Sequence, residues 1–262
     1  MARSVDLKSM AFKSCLAALA MMIALAPTPA SAGEGDKLPE QPWSFQGPMG
    51  TFDRAELQRG FQIYREVCSA CHAMNLLSYR SLGEIGFSPA AVKAIAASVE
   101  VTAGPNEQGE MFQRPGLPSD RFKAPFPNDK AARSANNGAL PPDLSLITKA
   151  RFGGADYIYA LLTGFDDPPA DFVMGEGMNF NHWFPGRQIA MSPPLADGAV
   201  TYTDGTAATL PQMARDVAVF LTWAAEPTME ERKRIGLGVL AFLVITAGLL
   251  YLAKRIVWSR LH

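Results

Sequence analysis

Apolar residues are concentrated in two uninterrupted runs, one near each end of the chain, and are mixed with polar residues between them. The longer run, residues 235–253, contains no charge and has basic residues on both flanks. At about 1.5 Å per residue, a helix of this length comes close to the ~30 Å hydrocarbon core of a bilayer. The run therefore predicts one transmembrane helix. The position of Trp258 beyond it favours a membrane span over a buried core helix.

The shorter run, from Cys15 to Ala26, follows three basic residues and precedes the small residues Ala30-Ser31-Ala32. This order is typical of a secretory signal peptide that is cleaved after the last of them. The sequence therefore predicts a signal peptide over residues 1–32, an exported domain over 33–231 and a cytoplasmic tail over 254–262. Such a signal peptide indicates a bacterial inner-membrane protein whose domain lies in the periplasm.

The pattern between the two runs predicts a mainly α domain with long loops. The sequence predicts four helices, at residues 54–67, 89–98, 155–163 and 211–225. Apolar residues at helical spacing support the first and the last, and the second is rich in alanine. Asp53 is a favourable N-cap for the first helix, and Pro211 suits the first turn of the last. Gly, Pro, Asn and Asp are dense between residues 104 and 142, which predicts a long ordered loop. The best candidate for a strand is residues 199–203.

The charge balance argues against nucleic acid as a partner. The chain carries 24 basic and 25 acidic residues, a net charge of −1, and so lacks the basic excess that phosphate binding requires. Acidic residues form two groups in the sequence, Glu100, Glu107 and Glu110 in the first and Asp166, Asp167, Asp171 and Glu176 in the second. Each group fits either a solvated surface or a docking face for a basic partner, whose association it would accelerate.

Cys68-Ser69-Ala70-Cys71-His72 carries the most specific chemical signal in the chain. C-x-x-C-H is the attachment signature of c-type haem. Its two thiols lie within one turn and form thioethers to the haem vinyl groups, while the adjacent imidazole binds the iron. The motif occurs once. The sequence therefore predicts one haem c, attached through Cys68 and Cys71, with His72 as an iron ligand.

Other uses of closely spaced cysteines fit less well. A dithiol redox site needs a thioredoxin-like βαβ context, which the helical pattern around Cys68 does not supply. A structural zinc site needs four ligands, and apart from His72 the chain after the predicted cleavage site offers only His182 and His262 as histidines. The chain also lacks a G-x-S-x-G motif, a metal-hydrolase histidine pair and a phosphate-binding loop. Hydrolysis and phosphoryl transfer are therefore disfavoured.

A haem that transfers electrons normally has a second protein ligand opposite the histidine, and a methionine there raises the reduction potential. Met74 is too close to His72 to cross the ring, and Met213 and Met229 belong to helical stretches. Met191 lies in an irregular apolar segment whose neighbouring prolines could hold a thioether against iron. From these residues alone, the choice stays open between Met191 and three alternatives, Met174, Met178 and His182.

Several longer strings accompany the haem motif in order along the chain. They are MNLLSYRSL, GPNEQGEMFQRPG, AARSANNGALPPDLS, FGGADYIYALLTGF, IAMSPPL and DVAVFLTWAAEP, followed by the C-terminal apolar run. With these strings the sequence resembles the cytochrome c1 family, the haem subunits of ubiquinol:cytochrome c reductase. The resemblance covers nearly the whole chain after the predicted cleavage site. The resemblance implies a class I cytochrome c-like domain enlarged by long loop insertions. It also implies that Gly60 and Phe61 pack against Phe220 and Trp223.

The resemblance implies roles for individual residues as well. In the family, the methionine of the IAM segment is the sixth ligand of the haem iron, which corresponds to Met191. The arginine of the AARSANNGA segment neighbours a haem propionate, which implies the same role for Arg133. The pocket lining implied by the resemblance consists of Asn137, Ala139, Leu140 and Pro141.

The function implied by the resemblance is electron transfer within a quinol-oxidising respiratory or photosynthetic complex that contains cytochrome b. The haem would accept electrons from a Rieske iron-sulfur protein and pass them to a soluble or anchored cytochrome c. Alone, the chain would be an electron carrier and would not oxidise quinol. Three alternatives differ in class: a membrane-tethered electron shuttle outside any complex, a haem peroxidase with an open sixth position, and a haem-based sensor.

Overall fold

The computed structural model describes residues 37–259, and the unit considered below begins at Leu38. The predicted signal peptide lies outside the described residues, as do the last three residues of the predicted tail. The described part contains seven α-helices, α1 (Arg54–Glu66), α2 (Pro89–Ala97), α3 (Asp129–Ala135), α4 (Ile147–Ala150), α5 (Gly154–Thr163), α6 (Leu210–Ala225) and α7 (Met229–Ser259). It also contains two antiparallel hairpins, β1 (Glu100–Ala103) with β2 (Phe112–Pro115) and β3 (Asn179–Phe180) with β4 (Gln188–Ile189).

The four predicted helices correspond to α1, α2, α5 and α6, with every end within one residue of its expected position. The predicted N-cap is confirmed, because the Asp53 carboxylate accepts hydrogen bonds from the backbone N–H groups of Ala55 and Glu56. Pro211 occupies the first turn of α6, where its missing N–H costs no helical hydrogen bond. The structure is mainly helical, as the sequence predicted.

Two predictions about the loops need correction. The region 104–142 is not wholly irregular, because it contains β2 and α3, and Asn128 caps α3 through a hydrogen bond from the Ala131 amide. The strand predicted at residues 199–203 is wrong. That segment packs on α1 instead of pairing with a strand, and the Gln62 side chain donates to the Thr201 carbonyl at 2.9 Å. Its alternation reflects the burial of Tyr202 rather than a sheet.

The centre of the domain is the crossing of α1 and α6, on which α4 and α5 also pack. Gly60 allows the two helices to approach closely. A Cβ at this position would lie 2.1 Å from the Asp216 carbonyl oxygen and 2.6 Å from Phe220 Cβ. Phe61 and Phe220 meet with ring centroids 5.8 Å apart, and Phe220 contacts Trp223 at 5.7 Å. The packing implied by the family resemblance is therefore present.

The substitution Gly60→Ala is expected to destabilise the protein by about 1–3 kcal/mol, because the added methyl group has no room at the helix crossing. Gly83→Ala is the matched control. A Cβ at Gly83 meets no atom within 4 Å, so that change should stay within about 1 kcal/mol of the wild type. Denaturant unfolding followed by circular dichroism measures both variants. Equal stability of the two would show that the crossing tolerates a wider separation.

A buried carboxylate lies beside this crossing. The Asp216 side chain is fully buried and accepts two hydrogen bonds from Arg59, both at 2.9 Å. Tyr202 and Gln212 donate two more, at 2.8 Å and 3.0 Å. Arg59 also pairs with the more exposed Asp204 at 2.8 Å. Every oxygen of the buried carboxylate is therefore satisfied, and the network ties α1 to α6 and to the loop before α6.

The C-terminal helix α7 is long and apolar enough to cross a membrane. It begins at Met229, six residues before the predicted span, and continues to Ser259 through most of the predicted tail. Only its first residue is buried, and the apolar side chains from Ile235 onward are largely exposed. A surface of this kind suits a lipid environment.

Candidate haem site

The C-x-x-C-H residues begin immediately after α1, which carries the chain from the core to Cys68. Cys68–Ala70 form a single 3₁₀ turn. The backbone N–H groups of Cys71 and His72 both donate to the Cys68 carbonyl, at 3.1 Å and 2.9 Å. The two thiols and the imidazole are therefore held within one compact turn, as covalent attachment of a haem requires.

Both thiols of the motif are free. Cys68 packs against the core, and burial raises the pKa of its thiol to about 12, so that it is protonated at neutral pH. Cys71 is exposed. Neither cysteine is used as a structural cross-link within the described chain, which leaves both sulfur atoms for thioether bonds.

The imidazole of His72 is oriented by a backbone carbonyl. Its Nδ1 lies 2.8 Å from the Pro142 oxygen, which can only accept, so Nδ1 carries the proton and Nε2 presents its lone pair. Burial lowers the pKa of His72 and favours the neutral form that binds metals. Tyr64 donates to the His72 carbonyl at 3.4 Å. An imidazole with one nitrogen fixed in this way is a typical preorganised iron ligand.

The segment that holds His72 is joined to the chain that follows the motif. The Leu144 amide donates to the Ala73 carbonyl at 2.9 Å, and the Asn75 amide donates to the Asp143 carboxylate at 2.9 Å. Pro142 was not among the residues singled out from the sequence. The only sequence signal that could have identified Pro142 is its position directly after Pro141, the last residue predicted to line the pocket.

The residues predicted to line the pocket occupy the turn that follows α3. Asn137 has a left-handed backbone with φ of 51°, a conformation that asparagine adopts more readily than most residues. Ala139 and Pro141 are half-buried, and Leu140 is 37% exposed. Arg133 donates to the Gly138 carbonyl at 2.9 Å, so its guanidinium is held over this turn. The contacts of these five side chains with a haem remain predictions.

Met191 follows the β3–β4 hairpin and is half-buried. Its carbonyl accepts a hydrogen bond from the Asn179 side chain at 3.3 Å, which fixes the segment on the hairpin. His182, one of its rivals as ligand, lies 3.3 Å from the Asp166 carboxylate and stacks edge-on against Phe180. Met174 and Met178 line a cavity of about 530 Å³ with Asp166 and Phe180.

The other methionines differ sharply in exposure. Met74, Met213 and Met229 are buried in the core, whereas Met49 and Met111 are 75% and 61% exposed. The C-x-x-C-H segment fits a c-type haem by its chemistry, because it offers two free thiols and an imidazole with a free nitrogen. The role of Met191 as the sixth ligand remains a prediction.

A model of the cytochrome c1 family matches residues 43–261, and the match includes every residue of the candidate site. The chain belongs to the cytochrome c1 family. It is 46% identical over 262 residues to the cytochrome c1 of Rhodospirillum rubrum, covering 94% of this chain and 96% of that protein. It is 51% identical over 237 residues to the potato (Solanum tuberosum) mitochondrial haem protein cytochrome c1-2, covering 88% and 90%.

A third relative is longer than this chain. The cytochrome b/c1 of Bradyrhizobium diazoefficiens is 48% identical over 256 residues, which cover 89% of this chain and 37% of that protein. Members of the family are the haem-carrying electron-transfer subunits of the cytochrome bc1 complex. The predictions of the family, of the mainly α fold and of one covalently bound haem c are therefore confirmed. The chain is an electron carrier, and quinol oxidation belongs to the complex.

Proposed function

We propose that Cys68 and Cys71 hold the haem covalently and that His72 and Met191 bind its iron in both oxidation states. When bound, the haem supplies an iron centre that accepts and releases one electron. The observation that carries this proposal is the hydrogen bond from His72 Nδ1 to the Pro142 carbonyl, which leaves only Nε2 for a metal. A ligand that is already oriented needs little rearrangement when the charge on the iron changes.

The electron donor in this proposal is a Rieske iron-sulfur protein, and the acceptor is a soluble or anchored cytochrome c. Cytochrome b is the neighbouring subunit in the membrane. The name of the Bradyrhizobium relative, cytochrome b/c1, supports this neighbour. The exposed residues Glu100, Glu107 and Glu110 are candidates for the acidic face that attracts a basic acceptor.

The proposed topology is a single pass through the bacterial inner membrane, with α7 as the anchor. A signal peptide over residues 1–32 would place the haem domain, 33–231, in the periplasm and the tail, 254–262, in the cytoplasm. The aqueous partners then meet the domain on the periplasmic side. The bacterial relatives and the apolar surface of α7 support an inner-membrane protein.

Removal of both thiols, in the variant Cys68→Ala/Cys71→Ala, is expected to abolish covalent haem. Each thioether is a separate bond, so either single variant should keep some covalent haem. Haem staining after denaturing electrophoresis, together with the intact mass, measures the attachment. Ser69→Ala is the control, because Ser69 lies between the two cysteines and donates only to the Arg65 carbonyl. Covalent haem in the double variant would contradict the assignment.

Copurification separates the proposed subunit from its nearest alternative. A chain purified from mild detergent through a tag on its C-terminal tail should bring cytochrome b and the Rieske protein in equal amounts. A tethered shuttle would be recovered alone. A haem peroxidase would turn over hydrogen peroxide rapidly, whereas an iron with both His72 and Met191 bound should react slowly.

A further inference from the structure

The membrane helix α7 is separated from the core helix α6 by only three residues. The turn 226–228 contains Pro227, which cannot continue a helix, and the structure begins α7 at the buried residue Met229. Such a short connection either acts as a hinge or is locked by contacts from other parts of the chain. The contacts made by the first turn of α7 decide between these possibilities.

Glu230 joins α7 to the start of α1. Its carboxylate accepts a hydrogen bond from the Phe52 amide at 2.7 Å and pairs with Arg54 at 2.7 Å. Burial opposes its ionisation, but the bonds from Arg54 and Phe52 outweigh that effect and lower the pKa of Glu230. The charged form of Glu230 is therefore present at neutral pH, where it binds both the Phe52 amide and the Arg54 guanidinium.

Lys233, about one helical turn later in α7, binds the tight loop that precedes Phe52. Its ammonium donates to the Phe45 carbonyl at 2.6 Å and to the Gly50 carbonyl at 3.0 Å. A Cβ at position 50 would lie 2.0 Å from the Gln46 carbonyl oxygen, so only glycine permits this loop. The loop thus presents two backbone oxygens to one cation.

The loop is itself fixed to the haem domain. Phe45 stacks on Trp43 with ring centroids 5.6 Å apart, and the Trp43 indole donates to the Asp156 carboxylate of α5 at 2.8 Å. Arg215 of α6 donates to the Pro42 carbonyl at 2.7 Å. The partners of Glu230 and Lys233 are therefore connected to two helices of the domain core.

We propose that Glu230 and Lys233 form a clasp that fixes the tilt and rotation of the haem domain on its membrane helix. This inference rests on the proposed function, in which α7 spans the bilayer and the domain carries the electron-transferring haem. Both residues are positioning residues, because they act on the haem only through the orientation of the domain. An electron-tunnelling rate falls steeply with distance, so a fixed orientation favours the encounter with a membrane-bound donor.

The test uses the full-length, haem-loaded protein in oriented lipid multilayers. The angular dependence of the ferric haem electron paramagnetic resonance signal reports the orientation of the haem relative to the membrane. The variant Glu230→Gln/Lys233→Met should lose at least half of the dependence seen in the wild type. The control is Glu231→Gln/Arg234→Met, which removes the same charges from exposed neighbours whose side chains have no hydrogen bond or ion pair within residues 37–259. It should retain the wild-type dependence.

A second readout does not depend on the haem. Trypsin cuts after the basic residues 232–234, and the cut requires the first turn of α7 to open. The variant Glu230→Gln/Lys233→Met should be cut at least about tenfold faster than Glu231→Gln/Arg234→Met, because each of these double variants keeps two of the three cleavage sites. An unchanged haem orientation together with an unchanged rate of cleavage would overturn the clasp. A wild type without a ferric haem signal would instead overturn the proposed function. The rate of trypsin cleavage would then still test the clasp.

Discussion

Replacement of Met191 by leucine is expected to lower the reduction potential of the haem by on the order of hundreds of millivolts, with the haem still covalently bound. Thioether sulfur stabilises ferrous iron relative to ferric iron, and leucine offers no donor atom. The weak near-infrared band between the thioether and ferric iron should vanish as well. A redox titration and an oxidised optical spectrum of the purified protein measure the two effects.

Met178→Leu is the control for this prediction. Met178 lies near the same hairpin and is half-buried, but it lines the cavity beside Asp166 and Phe180. Its replacement should change the potential little and leave the near-infrared band in place. A band that survives in Met191→Leu and disappears in Met178→Leu would show that Met178 is the iron ligand. A wild type without the band would favour His182 or an open site.

The substitution Asp216→Ala is expected to destabilise the protein by roughly 3–5 kcal/mol. The carboxylate is fully buried and accepts four hydrogen bonds, two of them from Arg59, whose side chain is only 14% exposed. Without Asp216, the guanidinium loses two of its hydrogen bonds, and Tyr202 and Gln212 lose their acceptor. Most of the expected loss comes from polar groups that stay buried without partners. Denaturant unfolding measures it.

Asp204→Ala removes the other carboxylate that pairs with Arg59. The Asp204 side chain is 40% exposed, so solvent replaces much of what it contributes, and the loss of stability should be much smaller than that of Asp216→Ala. The contrast between the two aspartates tests whether burial controls the strength of this network. Similar losses in both variants would show that the network is solvated in solution and would contradict the buried geometry.

The parts of the fold that follow a repeating pattern could be predicted from the sequence. The helices α1 and α6 have apolar residues at helical spacing, a capping Asp53 and an N-terminal Pro211, and these signals are all local. The hairpin of β1 and β2 was missed because turn-forming residues dominate its loop and its strands are short. The segment 199–203 was misassigned because Tyr202 is buried by contacts with Asp216 on α6 and Arg59 on α1, which the local alternation does not reveal.

In the candidate haem site, too, the local motif could be predicted from the sequence and the long-range contacts could not. Cys68, Cys71 and His72 form a local motif whose spacing identifies its chemistry. The Pro142 carbonyl, which orients His72, lies seventy residues away, and nothing in the local sequence pairs these two groups. Long-range hydrogen bonds to backbone atoms leave no side-chain signature. The clasp is a second example, because Lys233 binds two backbone carbonyls 188 and 183 positions before it.

In the proposed function, the haem of this chain carries electrons from the Rieske protein to cytochrome c. Rapid mixing of ubiquinol with the purified complex, followed at the haem absorption band, tests it most directly. We expect reduction of the haem within the turnover time, reoxidation when ferric cytochrome c is added, and no reduction in complex depleted of the Rieske protein. Reduction at an unchanged rate without the Rieske protein, or no reoxidation by cytochrome c, would contradict the proposed function.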